Sequence, residues 1–286
     1  MPTFATPDPI TLTLTLTAAD IRLRASERTD TVVTVAPRDP ANAKDVELAE
    51  RTRTDFADDR LEIRAPQPWR VLGPSRNAGA LDVEIELPTG SEVHGEAWIA
   101  DLHATGELGR VEFSTSLGDL TVDRTGPAKL ATNSRVTARR IGGTAEIKSA
   151  GAVRIDEIGG PTTIKNLNGA TEVGRVEAEL TCRSANGDVS VGTALADVKA
   201  TTSNGAIRVE EVVRGDISLK TANGHVEIGI RPGTAARLDV HTKFGRVRNG
   251  LDATDGPGDS DEVATISTRT SVGDIVIRRP ESGAVR

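Results

Sequence analysis

Glycine returns at a fixed interval in this chain, and that interval constrains the fold more than any other feature. Gly151, Gly169, Gly187 and Gly205 lie eighteen residues apart. Gly224, Gly245 and Gly273 continue the series at nineteen, twenty-one and twenty-eight. Gly118 begins it, and TNSRVTA around Ser134 stands as a glycine-free copy between Gly118 and Gly151. Two residues after each glycine comes an apolar or β-branched residue: Leu120, Val153, Thr171, Val189, Ile207, Val226, Val247 and Ile275. Two further on, the same character returns at all but Asn249. A period of two marks a strand with one buried face.

A second strand precedes each glycine. Nine residues upstream of seven of them sits another small residue, as in Gly160, Ala178, Ala196 and Gly215, and alternation restarts there. The repeat is therefore strand, turn, strand, turn. One such unit cannot bury its apolar face alone, whereas copies stacked in register can. The pattern predicts an all-β fold: a β-solenoid of two-strand coils of about 18 residues, with parallel sheets and coils about 4.8 Å apart. Gly118, Gly151, Gly169, Gly187, Gly205, Gly224, Gly245 and Gly273 are its expected structural turns, a column where positive φ is needed. Asn-Gly pairs also suit hairpins, so an antiparallel meander is the structural rival.

The Thr and Ser residues just before these turns, among them Ser184, Thr202 and Thr221, fall on the inward side. They read as a hydroxyl ladder satisfying corner backbone groups, the alternative being a polar ligand channel. Cys182 takes an inward slot held elsewhere by Ala, Ile, Leu or Val; it reads as a small hydrophobe, with a reactive thiol as the alternative.

Upstream of about residue 93 the glycine series is absent. TLTLTLTAADIRLR (11–24), TVVTVA (31–36), RLEIRA (60–65) and ALDVEIELP (80–88) alternate like half-buried strands. PANAKDVELAER (40–51) has helix-forming composition, which predicts one short helix. Residues 1–93 are thus expected to form a small N-terminal β cap and 94–286 the repeat region. Solenoids need such caps because an open end pairs with other chains. Trp69, in a Pro/Gly-rich stretch, is expected to pin a loop over the core. The segment at about 250–263 interrupts the repeat with Gly, Pro and acidic residues, reading as a solvated loop, with calcium as the alternative ligand. Arg278, Arg279 and Pro280 end the last strand with groups that discourage edge pairing.

Composition narrows the function classes. A net charge of -7 with aromatics at 2% and no tyrosine argues against a nucleic-acid partner. One cysteine excludes an internal disulfide and a multi-thiolate zinc site. The N-terminus lacks the basic start and apolar run of a signal peptide, and no run of about 20 apolar residues is present. The expectation is a soluble, cytoplasmic protein without membrane insertion and without a cofactor.

No catalytic motif is evident: there is no GxSxG, P-loop or HExxH. Asp197 and Asp216 would stack about 5 Å apart in neighbouring coils, as turn residues or as a carboxylate pair. His94, between Glu92 and Glu96, would suit a metal edge but reads as part of a solvated strand. His225 and His241 share no ligand spacing.

TTSNGAIRVEEVVRGDISLKTANGHVEIGI (201–230), HTKFGRVRNGL (241–251) and TSVGDIVIRR (270–279) together resemble the bacterial "putative adhesin" family. TVVTVAPRDPANAKDVELAERTRTDFADDRLEIRAP (31–66) resembles the N-terminal part of the same proteins. The resemblance implies a β-strand-repeat domain of unknown function, common in actinobacteria, with a solenoid fold and no catalytic residues. Together these readings favour a non-enzymatic interaction scaffold that binds an unknown protein partner or associates with itself. The alternative is a carbohydrate-binding or carbohydrate-cleaving β-helix, poorly supplied with aromatics for sugar stacking.

Overall fold

The computed structural model describes residues 2–66, 79–252 and 262–280. It divides into two compact units, Met1–Gly143 and Thr144–Arg286. The expected positions of Trp69 and of most of the acidic loop lie outside the described residues.

The second unit shows the repeat most plainly. One sheet holds β12 (Ala145–Ser149), β14 (Thr162–Asn168), β16 (Leu180–Asn186), β18 (Val198–Asn204) and β20 (Gly215–Asn223). The other holds β13 (Val153–Ile158), β15 (Thr171–Val176), β17 (Val189–Ala194), β19 (Ile207–Val212) and β21 (Val226–Ile230). From β12 to β19 each strand pairs in parallel with the strand two places on. Val189, Ile207 and Val226 are direct neighbours, and none exposes more than 1% of its surface. This is the β-solenoid, and parallel pairing rules out the hairpin meander. Burial drives it: a hidden Val or Ile contributes roughly 1.5–3 kcal/mol, and here only stacking hides one.

The last two coils are not stacked in chain order. β22 (Thr234–Phe244) and β23 (Val247–Asn249) come first in sequence, then β24 (Glu262–Val272) and β25 (Ile275–Arg278). Yet β24 lies between β20 and β22, and β25 between β21 and β23. The chain lays down its end coil, then returns to fill the gap beneath it. Arg279 clasps the bend leading into β22, donating from Nη1 to the carbonyls of Arg231 (2.6 Å) and Thr234 (3.1 Å).

The first unit is built around two long strands, β2 (Thr11–Ser26) and β7 (Glu92–Leu108), paired in parallel from Thr11 to Arg24. On its other side β2 pairs first with β5 (Arg60–Arg64) and then with β6 (Leu81–Pro88). Beyond β7 come β8 (Val111–Leu117) and β9 (Leu120–Thr125), then β10 (Ala128–Thr132) and β11 (Val136–Ile141), all parallel. Antiparallel strands finish the N-terminal end: β1 (Thr3–Ala5) on β3 (Asp30–Pro37), β3 on β6, and β4 (Arg53–Ala57) on β5.

Helix α1 (Ala43–Arg51) is the one helix among the described residues. It begins three residues after Pro40, because Asn42 caps it by accepting the Lys44 N–H at 3.1 Å. Asp45, buried in its first turn, accepts from Asp39 N–H, Asn42 Nδ2 and Ala80 N–H at 2.9–3.0 Å. Three donors make a buried carboxylate tolerable and tie the helix to the chain entering β6.

Candidate functional site: turn ladders, outer faces and the open end

The turn glycines sit where adjacent coils come closest. Gly118, Gly169, Gly187, Gly205 and Gly273 have φ between 92° and 148°. Gly151, Gly224 and Gly245 do not adopt positive φ, contrary to the expected column. A second constraint acts at Gly224: a Cβ there would lie 1.9 Å from the Gly205 carbonyl oxygen. At Gly245 it would meet the Gly273 oxygen at 2.0 Å. Close backbone approach, as much as handedness, therefore selects glycine. At Gly118 the neighbouring copy is Ser134, whose hydroxyl accepts the Gly118 N–H at 3.1 Å.

Three side-chain ladders run across the coils. Thr132, Thr202, Thr221 and Thr270 donate their hydroxyls to the carbonyls of Gly118, Gly187, Gly205 and Gly224 at 2.7–3.2 Å. This is the inward ladder read from the sequence, except that Ser184, an expected member, has its hydroxyl buried without a hydrogen-bond partner among the described residues. On the corner outside it, Asn186, Asn204 and Asn223 each donate Nδ2 to the Oδ1 of the asparagine one coil back, at 2.9–3.1 Å. Just past the turn positions, which are Ala100, Gly187 and Gly273, aspartates accept the backbone N–H of the coil above. Asp101 takes Asp119 N–H (2.8 Å), Asp188 takes Ala206 N–H (2.7 Å) and Asp274 takes Arg246 N–H (2.9 Å). His225 fills the same role through Nδ1, accepting the Asp274 N–H at 2.9 Å.

The candidate acids are absorbed into this scheme. Asp197 Oδ1 accepts the Asp216 N–H at 2.8 Å, so the pair is a turn brace. His94 lies 3.6 Å from Glu92 and 3.8 Å from Glu112, and the position it shares is strand surface. His225 and His241 are not brought together. Among the described residues, no group of three or more His, Cys, Asp or Glu side chains could hold a metal ion. Cys182 is buried, and burial pushes its thiol up to about 12, slightly opposed by a hydrogen bond with Thr171. Such a thiol carries almost no thiolate at neutral pH.

Remaining charge shifts trace to surface ion pairs. Glu146 is held below its ordinary value by its hydrogen bond with Lys148, aided by Lys165. Arg231 is raised by its two-pronged bond to Glu211 at 2.8 and 3.0 Å. A groove of about 230 Å³ in the first unit is lined by Arg22, Arg24, Glu84, Glu86, His103 and Thr105 among others. Its charges satisfy one another, Arg22 with Glu84 at 3.0 Å and Arg24 with Glu86 at 3.4 Å.

The end coil differs. At β20 and β24 the inward side chains Ile217, Leu219 and Ile266 are fully hidden. Their neighbours on β22, Leu238 and Val240, are only half-buried, while Phe244 is 73% and Val247 46% exposed. Among the described residues β22 pairs with β24 alone.

A family model, Toastrack DUF4097, matches residues 10–285. The chain belongs to the Toastrack DUF4097 family. The match takes in both units, so the long strands of the first and the glycine coils of the second are one family architecture. No curated protein matches the chain. Similar solved structures include a "putative adhesin" from Bacteroides fragilis, 10% identical, covering 96% of this chain and 95% of that one, with a TM-score of 0.33. Another is a "putative cell adhesion protein" from Clostridium sporogenes, 9% identical, covering 97% and 98%, with a TM-score of 0.20. A "putative adhesin" from Parabacteroides merdae is 12% identical over 96% and 94%, with a TM-score of 0.27. No helix of the described chain is long and apolar enough to cross a membrane.

Proposed function

We propose that this Toastrack protein is a non-enzymatic interaction scaffold that holds a protein partner, or a second copy of itself, on its stacked coils. One observation carries the reading. The polar groups that chemistry would require are already spent on structure: the corner aspartates and His225 brace backbone N–H groups, the inward threonines hold glycine carbonyls, and the thiol is sealed. What the coils present outward is a regular array of charged and hydroxyl side chains on a stiff backbone, which suits recognition rather than turnover.

The decisive experiment sets the scaffold against a β-helix acting on glycans. Purified protein is incubated with a panel of acidic and neutral polysaccharides, and chain length is followed. The scaffold leaves every polymer intact. Depolymerisation that disappears in Asp197→Ala would replace this reading with the enzymatic one.

A further inference from the structure

The half-covered coil at β22 has a geometry that specifies what can cover it. In a strand, the N–H and C=O of one residue point to the same side, and successive residues alternate. The Phe244 carbonyl accepts from Gly273 N–H at 2.9 Å, so the even-numbered residues of β22 face β24. Ala235, Arg237, Asp239, His241 and Lys243 therefore turn their backbone groups toward the other side. There, among the described residues, no strand answers them. An edge of this length beside exposed apolar side chains is a template for another strand.

We propose that a second copy of this chain covers it, β22 against β22 in antiparallel pairing about a two-fold axis at Leu238. This rests on the scaffold reading and names its partner. The sequence of β22, TAARLDVHTKF, is self-complementary in that pairing. Arg237 of each copy stands directly opposite Asp239 of the other, and both belong to the residues whose backbone groups face the edge. On the inward side Leu238 meets its own copy and Ala236 meets Val240, which closes the core. Slipping by one pleat in either direction sets Asp239 against Asp239 or Arg237 against Arg237, so like charges reject the neighbouring registers. Within its own chain Asp239 has Arg269 on the β24 side at 3.6 Å, which leaves its other flank for the partner's arginine. The contact is isologous, as a two-fold dimer requires, and it closes rather than growing into a filament.

Sedimentation equilibrium on the full chain tests this. Wild type should approach twice the 30.1 kDa of one chain. D239R and R237D should each weaken association about tenfold or more, because each sets two like-charged pairs opposite one another. The double variant R237D/D239R should restore the dimer, and so should an equimolar mixture of the two single variants, whose charges again alternate. Circular dichroism matching wild type shows that the variants fold. A wild-type chain that stays monomeric at its highest soluble concentration overturns the proposal, as does a dimer indifferent to these substitutions. Hydrogen exchange adds one further outcome: a monomer whose Arg237 and Asp239 amides are protected has its edge covered by its own chain, which also overturns it. A monomeric result leaves the scaffold reading standing, since that reading falls only to glycan turnover.

Discussion

At Gly224 the backbone does not adopt positive φ, so handedness alone would admit alanine. Contact does not: the added methyl would lie 1.9 Å from the Gly205 oxygen and 2.5 Å from its carbonyl carbon. Gly224→Ala is therefore expected to cost about 1–3 kcal/mol, as overpacking against a rigid neighbour does. Urea unfolding measures it, and an unchanged midpoint would mean that the corner has slack. Gly95 makes the same point for side chains, since its missing Cβ leaves room for the buried Phe113 ring, otherwise 2.4 Å away. Cys182 gives a prediction in pH. Its folded-state value of about 12 exceeds the ordinary 9.0, so the stability held by the neutral thiol is complete below pH 9. It is lost as pH rises from about 9 toward about 12, at up to about 1.4 kcal/mol per pH unit, because the unfolded chain ionises first. Cys182→Val should flatten that alkaline slope in thermal unfolding measured from pH 8 to 11; an unchanged slope would assign it to other groups.

Among the elements, the corner ladders set how firmly one coil grips the next. Asn204 sits mid-ladder, donating to Asn186 and accepting from Asn223, both at 2.9 Å. Asn204→Asp removes the donor and faces a carboxylate toward the Asn186 oxygen, and should cost about 1–2 kcal/mol, more at neutral pH than at pH 3. His225→Asp should be neutral or stabilising, because an aspartate does the same work at Asp188 and Asp274, whereas His225→Ala should lose about 1 kcal/mol. Melting temperatures in parallel separate the two outcomes. The sequence displayed much of this scale. The eighteen-residue spacing, the two inward positions after each glycine and the hydroxyl column were all legible, because alternation that recurs at a fixed interval fits stacked strands and no helix. A third inward column was not. Ile158, Val176, Ala194 and Val212 are buried seven residues after their glycines, beyond a step where two consecutive residues face outward. The odd offset breaks the alternation that identified the strands, although an apolar residue at that place in the four repeats from Gly151 to Gly205 was a usable signal. The long strand β2 was legible as a strand but not in its pairing, since no glycine marks where it passes from β5 to β6, and of β7 only the part around His94 was read as a strand. The candidate acids were visible as residues, while their roles depended on which backbone N–H each one reached.

For the whole molecule, stability in stacked coils is a sum of neighbour contacts, so the cost of a truncation depends on the coil it strikes. Ile207→Ala, sealed between Val189 and Val226, should cost about 2–5 kcal/mol, whereas Leu238→Ala on the half-covered end should cost well under half as much in the dilute monomer and more at concentrations where β22 is covered by a second copy. Thermal unfolding of both variants across a range of protein concentration checks this, and equal losses at high dilution would mean that the chain covers its own end. The placement of β24 and β25 was not legible in the chain. The glycine interval of twenty-eight showed that something intervenes, but nothing in the residues says that the later coil inserts beneath the earlier one.

That insertion makes the final strands a keystone. In an ordinary repeat array the outermost unit is also the last one made, and it can be trimmed away to leave a shorter, sound array. Here β22 and β23 leave the ribosome before the surface on which they come to rest, and Arg279 fastens their entry bend only after β24 and β25 have been made. Growth of the structure from its start must therefore pause one place short of the end. A chain truncated after Gly250 should be ordered through β21 and protease-sensitive beyond it, whereas a chain that continues through Arg279 should seat both coils in a single step.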